Sequence, residues 1–75
     1  MPAAPVLLYT KAGCPYCAAK RAELAARGVA VREVDVSVHP EAVAELLKVT
    51  RGRRIVPVVV EGGRIAIAPG GGSSF

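Results

Sequence analysis

The two cysteines are the residues whose spacing most directly suggests chemistry. Both lie in one tetrapeptide, Cys14-Pro15-Tyr16-Cys17, within a sequence of 75 residues. A disulfide across two intervening residues closes too small a loop to stabilise a fold much, and secreted domains built on disulfides spread more cysteines along the chain. The tetrapeptide is therefore predicted to be a reversible redox pair.

The two thiols are predicted to have different roles. The tetrapeptide follows an apolar run over residues 6–9 and precedes an Ala-rich stretch over residues 18–27, which puts Cys14 at the start of a helix. Unsatisfied N–H groups and the helix dipole favour a thiolate there, and Lys11 adds a cation. Such surroundings lower a cysteine pKa from about 8.5 to roughly 3.5–7.5. Cys14 is the predicted nucleophile, and the more buried Cys17 is predicted to resolve its mixed disulfide.

A zinc half-site is the main alternative interpretation of the cysteine pair. Structural zinc takes four Cys or His ligands, and the chain offers Cys14, Cys17 and the remote His39. A metal ion shared by two copies would be needed to complete the set. The sequence therefore predicts no metal site within one chain, and His39 is assigned a solvated or capping role at a helix start.

The elements that must position the pair follow a β-α-β-α-β-β order. Strands are predicted over residues 6–9, 29–36, 55–60 and 65–68, and helices over residues 18–27 and from residue 40 to an end near residues 50–52. A helical crossover makes the first two strands parallel, and the Gly62-Gly63 turn makes the last two an antiparallel hairpin. The prediction is a single α/β domain over residues 1–75 with a mixed four-stranded sheet, in which residues 69–75 form a flexible or degenerate tail.

The charge balance favours a small anionic partner. The sequence contains ten Lys and Arg residues and six Asp and Glu residues, which gives a formal net charge of +4. The densest basic cluster, Arg51, Arg53 and Arg54, is shorter than the runs of about five or more basic residues that form nucleic-acid-binding tails. Aromatic residues, on which bases stack, make up 4% of the chain. We therefore expect no nucleic-acid partner.

The sequence shows neither a membrane span nor a secretory signal. No apolar run approaches the roughly 20 residues that cross a bilayer. The N-terminal segment, residues 1–5, lacks the charged and then apolar pattern of a signal peptide. We expect a soluble, cytoplasmic protein without a membrane partner.

Two segments of the chain resemble the active site of dithiol glutaredoxins. They are Tyr9-Thr10-Lys11 with Gly13-Cys14-Pro15-Tyr16-Cys17 and, at a similar spacing, Arg53-Arg54-Ile55-Val56-Pro57. In that family a Thr-Val-Pro segment with a cis proline faces the cysteines. The similarity covers residues 6–67 and implies a thioredoxin-like (glutaredoxin) fold with a cis Val56–Pro57 bond. It also implies a thiol–disulfide oxidoreductase that is linked to glutathione and has no bound cofactor.

The resemblance further implies a glutathione site and its partners. Lys11 would pair with the glycyl carboxylate of glutathione, and the Val56 backbone would hydrogen-bond its cysteine in a short β-like pairing. Tyr16 would form a wall of the groove, and Arg53 or Arg54 would supply a second cation. Local positive charge agrees with an anionic ligand. Glutathione is then the reductant or co-substrate, and the substrates are proteins that carry disulfides or are glutathionylated.

Departures from the family pattern leave other functions open. Ile55 replaces the usual threonine, and the family's Gly-Gly pair with its following Asp is matched best by Gly71-Gly72-Ser73-Ser74. No counterpart of the family's last helix follows in the sequence. Without that helix one face of the sheet would be uncovered, and exposed apolar surface often marks an interaction site. We expect a monomer or a weak dimer. The alternatives are a redoxin-type electron carrier that thioredoxin reductase reduces, with little glutathione binding, and a metal- or iron–sulfur-bridged dimer.

Overall fold

The computed structural model describes residues 5–75 of the chain. Its elements are β1 (Val6–Thr10), α1 (Pro15–Ala26), β2 (Val31–Asp35), a 3-10 turn (Pro40–Ala42) that leads into α2 (Val43–Thr50), β3 (Ile55–Val56), β4 (Val58–Glu61), β5 (Arg64–Ile67) and β6 (Ser73–Ser74). The predicted order of strands and helices is confirmed, and Pro57 divides the predicted third strand into β3 and β4. Residues 1–4, on which the expectation of no secretory signal partly rests, lie outside the described residues.

Four of the strands form the mixed sheet that the sequence predicts. The strand order is β2-β1-β4-β5, with β1 parallel to β2 and antiparallel to β4. In the antiparallel register Tyr9 lies opposite Val58. The residues after β1 and the residues before β4 therefore meet at one end of the sheet. This pairing brings the cysteine tetrapeptide and Pro57 together, although about forty residues separate them in the sequence.

Alternation along β1 divides the apolar core between the two faces of the sheet. Leu8 is buried with Leu24 of α1 on one face, and Tyr9 is buried with Leu46 of α2 on the other. The Tyr9 hydroxyl also donates a hydrogen bond to Glu45 of α2 at 2.8 Å. Burial and this bond raise the pKa of Tyr9 to about 12. Both cysteines belong to the same buried cluster as Tyr9 and Leu46. The packing of α2 against the sheet therefore supports the site directly.

Residue types at the helix ends explain where the helices begin and end. α1 starts three residues before the predicted position because Pro15, which lacks an N–H, fits the first helical turn. Gly28, with φ of 70°, follows the helix in the left-handed conformation that glycine adopts readily. Over the residues that the structure describes, neither helix has the length and apolar character that a bilayer crossing requires.

The C-terminal residues differ from the flexible tail that was expected. Ser73 and Ser74 form β6, which pairs antiparallel with β3 through Val56 and Ile55 respectively, and the Phe75 N–H donates to the Arg54 carbonyl at 3.2 Å. The physical reason is that β3 offers unpaired backbone groups, which a neighbouring segment can satisfy whatever its side chains are. Composition alone, rich in Gly and Ser, gives no sign of this pairing.

Candidate active site

The cysteine pair lies at the start of α1, as predicted. Cys14 is the N-cap residue, and its Sγ accepts a hydrogen bond from the Cys17 N–H at 3.2 Å. A capping side chain of this kind satisfies one of the backbone donors that every helix N-terminus leaves unpaired. Both thiols are free and buried, with exposures of 5% for Cys14 and 1% for Cys17.

The surroundings shift the pKa values of the two thiols in opposite directions. Burial by itself would raise the pKa of Cys14, but hydrogen bonds from the Cys17 thiol, the Ser73 hydroxyl and the N–H groups of Cys17 and Tyr16 outweigh it and lower that pKa. Burial, followed by the hydrogen bond that Cys17 donates to Cys14, raises the pKa of Cys17. Of the two thiols, Cys14 is therefore the one that ionises at lower pH, and Cys17 is the one that keeps its proton.

The residues predicted to line the groove surround the cysteines. The Val56–Pro57 peptide bond is cis, and both residues are buried against the site. Tyr16 is 47% exposed and lies against Gly71, where a Cβ atom would come within 2.5 Å of the tyrosine ring. In the predicted groove Val56 thus lies in one cluster with both cysteines and Tyr16 lies beside Gly71; the binding of glutathione there stays a prediction.

Strand β6 occupies this groove. The Phe75 N–H donates to the Arg54 carbonyl, so Arg54 and Phe75 form a hydrogen-bonded pair of the ladder. In an antiparallel ladder every second pair is hydrogen-bonded. The next such pair is Val56 with Ser73, two residues further along each strand, and these residues exchange both backbone hydrogen bonds. The Ser73 side chain then points at the nucleophile, with its Oγ 3.6 Å from the Cys14 Sγ. The backbone edge predicted for glutathione is therefore already paired within the chain.

Two of the three predicted cations also contact this segment. The Lys11 Nζ donates to the Ser74 carbonyl at 2.7 Å. The Arg54 Nε donates to the Phe75 carbonyl at 2.8 Å, and its guanidinium lies 4.6 Å from the centre of the Phe75 ring. Arg53 is exposed, and its carbonyl accepts a hydrogen bond from Thr50 at the end of α2. Lys11 and Arg54 thus contact the C-terminal residues Ser74 and Phe75, whereas the structure connects Arg53 to α2.

Comparison with protein families identifies the fold and the general chemistry. A sequence model of the glutaredoxin family matches residues 6–66, which include both cysteines and the cis Val56–Pro57 bond. The chain belongs to the glutaredoxin family. The predicted thioredoxin-like α/β fold is confirmed, and membership implies a thiol–disulfide oxidoreductase. No curated protein matches this glutaredoxin significantly.

The sequence gives Ser73 no role beside the nucleophile. The resemblance matches Gly71-Gly72-Ser73-Ser74 to the family's Gly-Gly pair and following Asp, and composition predicts a flexible or degenerate tail there. The family match ends at residue 66, so β6 lies beyond it. The signal available in the sequence was the cluster of glycines before Ser73, because glycine permits the close approach of two backbones. At Gly72 a Cβ would lie 2.6 Å from the Val56 carbonyl oxygen.

The described residues of this glutaredoxin gather no large set of metal ligands. Within residues 5–75, no three His, Cys, Asp or Glu side chains come together. His39 is the N-cap of the 3-10 turn, and its Nδ1 lies 3.2 Å from a carboxylate oxygen of Glu41. The His39 side chain makes no capping hydrogen bond and is exposed, so of the two expected roles the structure agrees with the solvated one.

Proposed function

We propose that this glutaredoxin reduces protein disulfides and glutathione mixed disulfides through a Cys14–Cys17 dithiol cycle, with glutathione as its electron donor. The observation that supports this function is the opposite pKa shift of two hydrogen-bonded thiols. Two-step exchange needs a nucleophile that is ionised at the start and a second thiol that keeps its proton until a mixed disulfide has formed.

Each step of the cycle conserves electrons and protons. The Cys14 thiolate attacks one sulfur of the substrate disulfide, and the other sulfur leaves as a thiolate that takes up a proton. Cys17 then loses its proton and attacks the Cys14 sulfur, which releases the second substrate thiol. The substrate has gained two electrons, and the enzyme holds a Cys14–Cys17 disulfide. Two glutathione molecules return it to the dithiol and become glutathione disulfide.

The charges at the groove support glutathione as the donor. The Lys11 Nζ contacts the Ser74 carbonyl oxygen, next to Ser73, whose Oγ lies 3.6 Å from the Cys14 Sγ. Because this carbonyl carries no net charge, the contact leaves the positive charge of Lys11 uncompensated. An anion such as glutathione is attracted to such a site. Exchange with glutathione suits a reducing compartment, and we propose a cytoplasmic location.

A second candidate is an electron carrier that thioredoxin reductase reduces. The pairing of Val56 with Ser73 favours it, because that pairing occupies the backbone edge on which glutathione would bind. The dithiol of a reductase would attack the oxidised Cys14–Cys17 disulfide directly and would depend less on a pocket for a tripeptide. The two functions share the cysteine chemistry and differ in the reductant.

Turnover assays with two reductants separate these functions. We expect the purified protein to reduce a mixed disulfide of glutathione and a small thiol when supplied with glutathione, glutathione reductase and NADPH. We expect slower NADPH consumption when thioredoxin reductase replaces the glutathione system. Titration of two free thiols beforehand confirms that the pair is competent. Turnover with thioredoxin reductase alone would contradict the glutathione proposal and support the carrier.

A further inference from the structure

Strand β6 places a serine where a dithiol enzyme needs the cysteine of its substrate. Ser73 exchanges backbone hydrogen bonds with Val56, the residue before the cis proline, and its Oγ is 3.6 Å from the Cys14 Sγ. Serine has the shape of cysteine with oxygen in place of sulfur. A cysteine on a strand in the same register would therefore present its sulfur to the nucleophile at close range.

We propose that β6 is a built-in pseudo-substrate, in which Ser73 occupies the position of the target cysteine. The proposal rests on the proposed role of Cys14 as nucleophile. The cysteine of a substrate, in glutathione or in a peptide strand, would have to take the backbone partner that Ser73 holds, which is the Val56 group that the resemblance assigns to the cysteine of glutathione. A serine cannot form a disulfide, so β6 occupies the groove without being consumed.

The contacts of β6 indicate how it is held and how it competes. Lys11 and Arg54 donate to the carbonyls of Ser74 and Phe75, at 2.7 and 2.8 Å. A substrate strand in the same register needs the Val56 backbone groups and must displace β6 first. The apparent affinity for substrate is then reduced by the fraction of molecules in which the groove is open. Substrates that pair poorly with Val56 are therefore expected to compete less well with β6 and to bind with lower apparent affinity.

A designed disulfide tests the position of Ser73. In the Cys17→Ser background, we expect Ser73→Cys to form a bond with Cys14 when diamide, a two-electron thiol oxidant, is added; both thiols lose a proton, and diamide is reduced to the hydrazine. The matched control is Ser74→Cys in the same background, because neighbouring side chains on a strand point to opposite faces. Peptide mapping by mass identifies the bond.

The outcomes of this experiment are distinct. A disulfide between Cys14 and the introduced thiol in the Ser73→Cys variant, with free thiols persisting in the Ser74→Cys variant, supports the proposal. Equal cross-linking in both variants, or none in either, overturns the position assigned to Ser73. Circular dichroism of the reduced variants checks that both are folded. Because the readout is a covalent bond and not turnover, it remains decisive even if the proposed glutathione function fails.

A pair of glycine substitutions tests the competition. An added Cβ at Gly72 would lie 2.6 Å from the Val56 carbonyl oxygen and 2.7 Å from the Ala68 Cβ, so Gly72→Ala must push β6 away from β3. At Gly63, in the β4–β5 turn, a Cβ meets nothing within 4 Å, which makes Gly63→Ala the matched control. We expect Gly72→Ala to lower the KM for the glutathione mixed disulfide by roughly three- to tenfold, and Gly63→Ala to leave it unchanged.

The direction of the KM change decides the role of β6. A lower KM in Gly72→Ala alone supports competition between β6 and the substrate. A higher KM would mean that β6 forms a wall of the binding site, and an unchanged KM would mean that it does not limit access; either result overturns the pseudo-substrate. If the wild-type chain lacks turnover with glutathione, the proposed function fails, and the cross-linking result alone decides the proposal.

Discussion

Cys14→Ser is expected to abolish turnover of both protein disulfides and glutathione mixed disulfides, a loss of at least about 10³-fold. Both reactions begin with attack by the thiolate that the start of α1 stabilises, and a serine hydroxyl remains protonated at neutral pH. Cys17→Ser is expected to keep release of glutathione from a mixed disulfide, because that reaction needs one enzyme thiol and a second glutathione molecule. It should lose reduction of protein disulfides that require intramolecular resolution.

Parallel assays of the two variants measure this division of labour. NADPH consumption is followed with the glutathione mixed disulfide and with a protein disulfide, at matched concentrations of the wild type and both variants. Thermal unfolding of the variants controls for damage to the core, since both cysteines are buried with Tyr9 and Leu46. A similar loss of both activities in the two folded variants would refute the assigned roles.

The main features of the fold were predictable because they depend on local pattern. The apolar run that became β1, the β-branched run around Pro57 and the Gly62-Gly63 turn each specify an element by residue type and spacing. The mixed sheet then follows from a helical crossover and a tight hairpin. The division into β3 and β4 also has a local cause, since proline cannot donate to a ladder.

The candidate site was predictable only where its residues carry distinctive chemistry. The spacing of Cys14 and Cys17, and their place before a helix, already indicate which thiol is activated. The position of Ser73 could not be predicted in the same way, because a serine between glycines and a phenylalanine has no apolar pattern. Its pairing with Val56 is decided by a free backbone edge that exists only in the folded chain.

The structure also changes the interpretation of Lys11 and Arg54. The sequence and the resemblance assign them to an anionic ligand, and in the structure both contact the C-terminal residues. Their hydrogen bonds nevertheless hold β6 through the carbonyls of Ser74 and Phe75. Under the proposed function, Lys11 can therefore retain the internal strand and attract glutathione when the strand leaves, because a carboxylate is a stronger partner for a cation than the Ser74 carbonyl is.

The opposite pKa shifts predict a large difference in alkylation between the two cysteines. Only thiolates react with iodoacetamide at an appreciable rate, so each rate rises with pH up to the pKa of its thiol and then levels off. The pKa of Cys14 is lowered, chiefly because donated hydrogen bonds outweigh burial, and that of Cys17 is raised by burial. At pH 7 we expect Cys14 to react at least about a hundredfold faster than Cys17.

Single-cysteine variants resolve the two profiles. Cys17→Ser reports Cys14, and Cys14→Ser reports Cys17, for which burial, the largest cause of its shift, remains. With N-acetylcysteine as the reference thiol in the same buffers, the midpoint for Cys14 should lie at lower pH and that for Cys17 at higher pH. Ser73→Ala in the Cys17→Ser background should move the Cys14 midpoint upward, because the thiolate loses a donated hydrogen bond. Coincident midpoints for the two cysteines would mean that the start of α1 and β6 do not activate Cys14, and the order of attack assigned here would then have no electrostatic basis.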